Sequence, residues 1–145
     1  MIRTASYSVT LPWSEEDILQ LQALFLTTGM HAITVPQVHA GRTIIARLLQ
    51  SLHCFSHVAA LTVSDLPLAP AVCNVYEELL LGGFIERQQA TRAFDYFLDE
   101  FNADFLWIEE SSNLLSTPWY RTVREYIDEL KVSQHIPVVR VLYAG

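Results

Sequence analysis

Lysine is almost missing from this chain. Eight of the nine basic residues are arginine, Lys131 is the exception, and no two of the nine stand side by side. Set against sixteen acidic residues, they leave a net charge of −7. A nucleic-acid binder needs a dense basic face to neutralise many phosphates, and this composition excludes one. The acidic excess suits solubility or a basic protein partner. Cysteine is equally scarce. Cys54 and Cys73 form no CxxC pair, so they read as buried thiols acting as small hydrophobes. No apolar run approaches the ~20 residues of a membrane-spanning helix. Residues 1–7 lack the apolar stretch and cleavage site of a signal peptide. The expectation is a cytoplasmic protein with no membrane insertion and no nucleic acid.

What is present is core-forming material. The chain has 145 residues, 51% of them hydrophobic and 17% charged. That excludes a disordered tail and suits one domain over residues 1–145. A chain of this length buries roughly 68–70% of its unfolded surface.

Residues 2–11 alternate, with Ile2, Ala5, Tyr7, Val9 and Leu11 interleaved with polar side chains, which predicts a strand with one wet face at a sheet edge. Ser14 before Glu15, Glu16 and Asp17 predicts a capped helix start, and Gly29 its end. Residues 30–35, 57–63, 105–108 and 136–142 are nearly continuous apolar runs. Between them come apolar stripes at helical spacing: Ile44 to Leu52, residues 72–101 with a break at Gly82-Gly83, and a helix after Thr117-Pro118 carrying Trp119, Val123, Ile127 and Leu130. Two-sided apolar strands alternating with helices predict an α/β three-layer sandwich around a mostly parallel sheet. The N-terminal edge strand is the one place where an antiparallel partner is allowed.

One segment invites a chemical reading. Pro36-Gln37-Val38-His39-Ala40-Gly41-Arg42-Thr43 joins a buried strand to an amphipathic helix, where a phosphate loop G-x-x-x-x-G-K-[ST] belongs. Gly41 and Thr43 match; Pro36 replaces the first glycine and Arg42 the lysine. Glu109 follows the run Phe105–Ile108 as a strand-end acid, and Asp65 is a second such candidate. On these residues the chain resembles a degenerate P-loop NTPase of the RecA-like type. It is also similar to inactive bacterial regulators of that architecture, the SulA cell-division inhibitors and the N-terminal module of the cellulose-secretion regulator BcsE. The P-loop likeness spans roughly residues 29–145 and the likeness to the regulators the segment Gly29–Asp65, and the resemblance implies a catalytically silent domain that docks on another protein.

A phosphate loop works through inward-pointing backbone N–H groups. Pro36 donates none, and Arg42 lacks the compact ammonium of lysine. Three readings stay open: an ordinary strand-to-helix connection, a descendant that has lost its nucleotide, and a working site. In the working site Gly41, Arg42, Thr43 and Glu109 bind nucleotide, with Thr43 on Mg²⁺ and Glu109 positioning water.

Other constellations are weaker. His53 and His57 are four apart without a carboxylate at ligand spacing, so no metal site is assigned. No G-x-S-x-G elbow exists. Leu115, Trp119, Tyr120, Arg121 and Arg124 combine residue types enriched at binding hot spots, and Gly82-Gly83-Phe84-Ile85 is a comparable apolar patch. The sequence therefore predicts a cofactor-free, non-enzymatic adaptor or regulator, with the Leu115–Arg124 cluster as its contact surface for another protein or for a second copy. The rival is a nucleotide-dependent ATPase or phosphotransferase with a divergent phosphate loop.

Overall fold

A computed structural model describes residues 4–9, 14–36, 39–64, 66–70, 72–81, 87–130 and 135–144. In chain order these form β1 (Thr4–Ser8), α1 (Glu15–Leu24), β2 (Gly29–Pro36), α2 (His39–Ser51), a 3₁₀ turn (Leu52–Cys54), β3 (Val58–Leu61) and β4 (Val72–Asn74). Then come α3 (Val75–Leu81), α4 (Arg87–Glu100), β5 (Phe105–Glu110), α5 (Ser112–Leu115), α6 (Tyr120–Leu130) and β6 (Pro137–Ala144). The six strands make one sheet in the order β1-β2-β6-β5-β3-β4, and every neighbouring pair is parallel.

Side-chain alternation along the central strands divides the core in two. Ile33, Val35, Val58, Ala60, Phe105, Trp107, Val139 and Val141 pack toward α1 and α2, against Ile18, Leu21, Phe25, Ile44, Ile45 and Leu48. Met30, Ala59, Leu61, Leu106, Ile108 and Val138 face the opposite way, against α3, α4, α5 and α6. Both faces are covered, so the molecule is a three-layer α/β sandwich of the Rossmann and RecA-like kind. This is why the central strands read as unbroken apolar runs.

Three expectations are corrected. β1 does lie at the edge, but it pairs parallel to β2, with Tyr7 opposite Ile33. An antiparallel neighbour follows from a short hairpin, whereas the whole of α1 intervenes here and carries the chain back before β2 starts. Residues 72–74, read as helix, form strand β4 beside β3. The switch is made by Asn74, which donates from Nδ2 to the Thr62 carbonyl and accepts the Tyr76 N–H on Oδ1, capping α3. Three residues are too short to show a period. Thirdly, Thr117 does not cap α6. Its hydroxyl donates back to the Asn113 carbonyl at 3.1 Å, across the short helix α5 that the sequence did not reveal.

Elsewhere local chemistry works as read. Ser14 and Asp17 form a reciprocal capping box at α1, and Gly29 opens β2 at φ 121°, a conformation that favours glycine. Cys54 is exposed and Cys73 half-buried, so neither is the fully buried thiol expected. His53 and His57 diverge after α2: His53 Nδ1 meets the Gln50 carbonyl at 2.6 Å, and the His57 ring sits 5.3 Å from Phe101. Among the described residues no group of three or more His, Cys, Asp or Glu is placed to hold a metal, and no helix is long and apolar enough to cross a membrane.

Gly41 has a steric role. A Cβ built on it would fall 1.9 Å from the Pro36 carbonyl oxygen and 3.1 Å from its carbonyl carbon, both backbone atoms. Gly41→Ala is therefore expected to push α2 off the end of β2 and cost about 1–3 kcal/mol, the range of overpacking changes. Urea unfolding of the variant against wild type measures it.

Candidate functional site

Strands β2, β6 and β5 end side by side, with β6 in the middle. β2 leads into α2 on one face of the sheet, while β5 leads into α5 and α6 on the other. A crevice outside the carboxyl ends of strands, where successive connections part to opposite faces, is where open α/β sheets place their ligands. The polar side chains at these strand ends form the candidate site.

Glu109 lies at its centre and is only 1% exposed. It shares the α1/α2 face with Phe105 and Trp107, because side chains alternate along β5. The Tyr143 hydroxyl, from the end of β6, donates to Glu109 Oε1. On Oε2 the carboxylate accepts from Thr62 Oγ1 at 3.1 Å, Ser64 Oγ at 3.4 Å and Trp107 Nε1 at 3.5 Å. Ser64 also donates its backbone N–H to Thr62 Oγ1. An acceptor-only group has thus been taken out of water and given protein donors on both oxygens, the condition under which a buried carboxylate is tolerated. Burial, then the hydrogen bond to Glu109 and its negative charge, push the Tyr143 phenol well above its ordinary range, and the charge of Arg42 opposes this. Tyr143 consequently stays a donor, and Arg42 lies within electrostatic reach of it.

Glu110, the next residue, points to the opposite face and does different work. Arg140 grips it with Nε on Oε1 at 2.9 Å and Nη2 on Oε2 at 3.0 Å. Tyr120 OH donates to Oε1 at 2.8 Å and Arg124 Nε at 3.2 Å. Arg124 also reaches Asp128 at 2.7 Å. This buried network clamps α6 to β5 and β6. Burial, followed by the charge and hydrogen bond of Glu110, drives the Tyr120 phenol far above its ordinary value, although Arg124 and Arg140 pull it back in part.

The Tyr120 shift sets a pH dependence. An unfolded tyrosine ionises near pH 10, whereas native Tyr120 holds its proton. Above that pH the unfolded state binds fewer protons than the native state, so stability falls as pH rises. The contribution is complete below about pH 10 and is lost above it at about 1.4 kcal/mol per pH unit. Urea midpoints between about pH 9 and pH 11 should fall less steeply for Tyr120→Phe than for wild type.

The residues singled out from the sequence divide clearly. Gly41, Arg42 and Thr43 lie in the first turns of α2, not in an open loop: Pro36 ends β2 and His39 already belongs to the helix. Arg42 and Thr43 are exposed and Gly41 is buried. Tyr143 hydrogen-bonds Glu109 and feels the charge of Arg42. The proposed contact cluster is not a patch. Trp119 and Tyr120 are buried in the core at 2% and 3% exposure, because α6 turns that face onto Leu106, Ile108 and Leu114. Arg124 is committed to Glu110 and Asp128. Only Leu115, and Arg121 with its Glu125 partner, face solvent. Asp65 and Gly82-Gly83-Phe84-Ile85 lie outside the described residues.

Thr62, Ser64, Tyr143 and Arg140 escaped the sequence reading. Their shared signal is a polar side chain just inside or just past the end of an apolar strand run, which becomes informative only once the strand order is known. Compared with protein-family models, curated proteins and solved structures, the chain finds no match.

Proposed function

We propose that this chain is a non-enzymatic α/β domain, an adaptor or regulator acting through contact with another protein, built on a nucleotide-binding type of scaffold whose ligand end is occupied by its own side chains. One observation carries the reading: Glu109, the acid placed to serve a nucleotide's metal ion, already has both carboxylate oxygens engaged by Tyr143, Thr62, Ser64 and Trp107. A general base must come within hydrogen-bond reach of its substrate, and a carboxylate 1% exposed behind four donors does not. The helical conformation of Gly41, Arg42 and Thr43 within α2 (His39–Ser51) supports the same reading, since a nest of N–H groups needs consecutive loop residues.

A second reading has its own support. Tyr143 joins the two sides, hydrogen-bonded to Glu109 and within the electrostatic reach of Arg42, so a nucleotide held by Gly41, Arg42 and Thr43 with Glu109 behind it is the alternative. Titration calorimetry with ATP, GTP and a cyclic dinucleotide in Mg²⁺ separates the two. The adaptor reading expects no heat of binding. Saturable binding that Thr43→Ala abolishes would replace it with the nucleotide reading. A pull-down with mass spectrometry then identifies the partner.

A further inference from the structure

We propose that the open edge of β1, together with the cavity beside it, binds an extended segment of a partner protein as an added strand, reading an apolar side chain flanked by lysine or arginine. This names the surface and the chemistry of the partner, and it rests on the protein-contact reading above.

β1 has a neighbouring strand on one side only. The Val9 N–H donates to the Thr34 carbonyl of β2 at 2.9 Å. Backbone polar groups of successive strand residues point to opposite sides, so Tyr7 turns its N–H and C=O toward β2 as Val9 does, while Ser6 and Ser8 turn theirs outward. Among the described residues no strand pairs with that side. Sheets normally guard an edge with a charge, a proline, a bulge or a very short strand. The far edge is guarded in the last way, because β4 has only three residues. Thr4–Ser8 has five, with no charge and no proline, and it pairs with β2 in unbroken register. Ser6 and Ser8 are exposed.

Beside this edge lies a cavity of about 440 Å³ between β1 and α1. Tyr7 and Val9 line it on the strand side, and Asp17, Gln20, Leu21 and Leu24 on the helix side. Those four helix positions, at spacings of three, one and three, share one face. A strand laid along β1 turns every second side chain to the α1 face of the sheet, where a large apolar group enters the cavity. In this mode of recognition main-chain hydrogen bonds supply affinity and the pocket supplies specificity.

Charge selects the occupant. Asp17 is exposed at the cavity, and the Ser14 N–H and hydroxyl both donate to its Oδ2, which leaves Oδ1 to meet a cation. Exposed Glu16 stands next to it. A second copy would bring its own net charge of −7 to the same place. The segment therefore belongs to a different protein and carries lysine or arginine beside its apolar residue.

Selection of a displayed library of short random peptides on the immobilised full chain tests this. Selected peptides are expected to share an apolar residue next to lysine or arginine, and to slow amide exchange at Ser6 and Ser8, read by NMR. Ser6→Pro removes an outward N–H and leaves the bonds to β2 in place, as proline does on edge strands. It should weaken binding of a selected peptide roughly tenfold or more, with unchanged circular dichroism. Asp17→Asn keeps the size of the side chain and should weaken the same peptide while flattening its salt dependence. A library that yields no binder, or binders indifferent to either substitution, overturns the proposal. Binders that protect amides elsewhere overturn the assignment to this edge yet keep the protein-contact reading, which the nucleotide titration judges separately.

Discussion

Glu110→Gln is expected to lower the unfolding free energy by about 3–5 kcal/mol, the usual cost of removing one partner from a buried ion pair. The substitution keeps the size of the side chain and removes its charge. Arg140 and Arg124, with side chains 23% and 15% exposed, then face an uncharged amide. Against a total stability of about 5–15 kcal/mol for a domain, that is a severe loss. Changing Glu110, Arg124 and Arg140 together to leucine should recover much of it, since replacing a whole buried ionic group with apolar side chains is often neutral. Urea unfolding with an unchanged m-value measures both. A loss under 1 kcal/mol for Glu110→Gln would mean that the clamp between α6 and the sheet contributes little.

Trp107→Ala should be comparably damaging, by about 3–5 kcal/mol, the range for deleting a buried aromatic. The indole is wholly buried beneath α1, with Phe25 edge-on at 6.1 Å and Phe25 in turn 5.5 Å from Phe105. Alanine leaves a cavity and also takes a donor from Glu109. Trp107→Phe separates the two effects: it restores most of the volume and leaves the lost hydrogen bond, worth about 1 kcal/mol. If alanine and phenylalanine cost the same, the hydrogen bond and not the packing dominates this position.

The contrast between Trp107 and Trp119 shows how far local pattern reaches. Both are buried. Trp107 sits inside a continuous apolar run, so its burial was legible from its neighbours. Trp119 stands at a turn between polar residues, among Tyr and Arg, and those types mark binding surfaces as readily as cores. Its fate depends on how α6 docks over Leu106 and Ile108, which no window of sequence contains. The same limit explains β4 and α5, whose three and four residues are too few for a period to repeat twice, and β1, whose direction is set by the path of α1. Tyr143 and Thr62 became readable as site residues only through the register that lines up β6, β5 and β3.

The sequence by itself determined the class of fold, two-sided apolar strands spaced by amphipathic helices, because side-chain periodicity and capping are written within a few residues. It also fixed the net charge of −7, because that is a sum over residues that no folding alters. Strand order, the enclosure of Glu109 by hydroxyls from β6 and from the residues just after β3, and the arginine clamp on Glu110 were decided by tertiary structure alone. Each joins residues far apart in the chain, through crossovers whose placement is governed by the packing of the whole sheet.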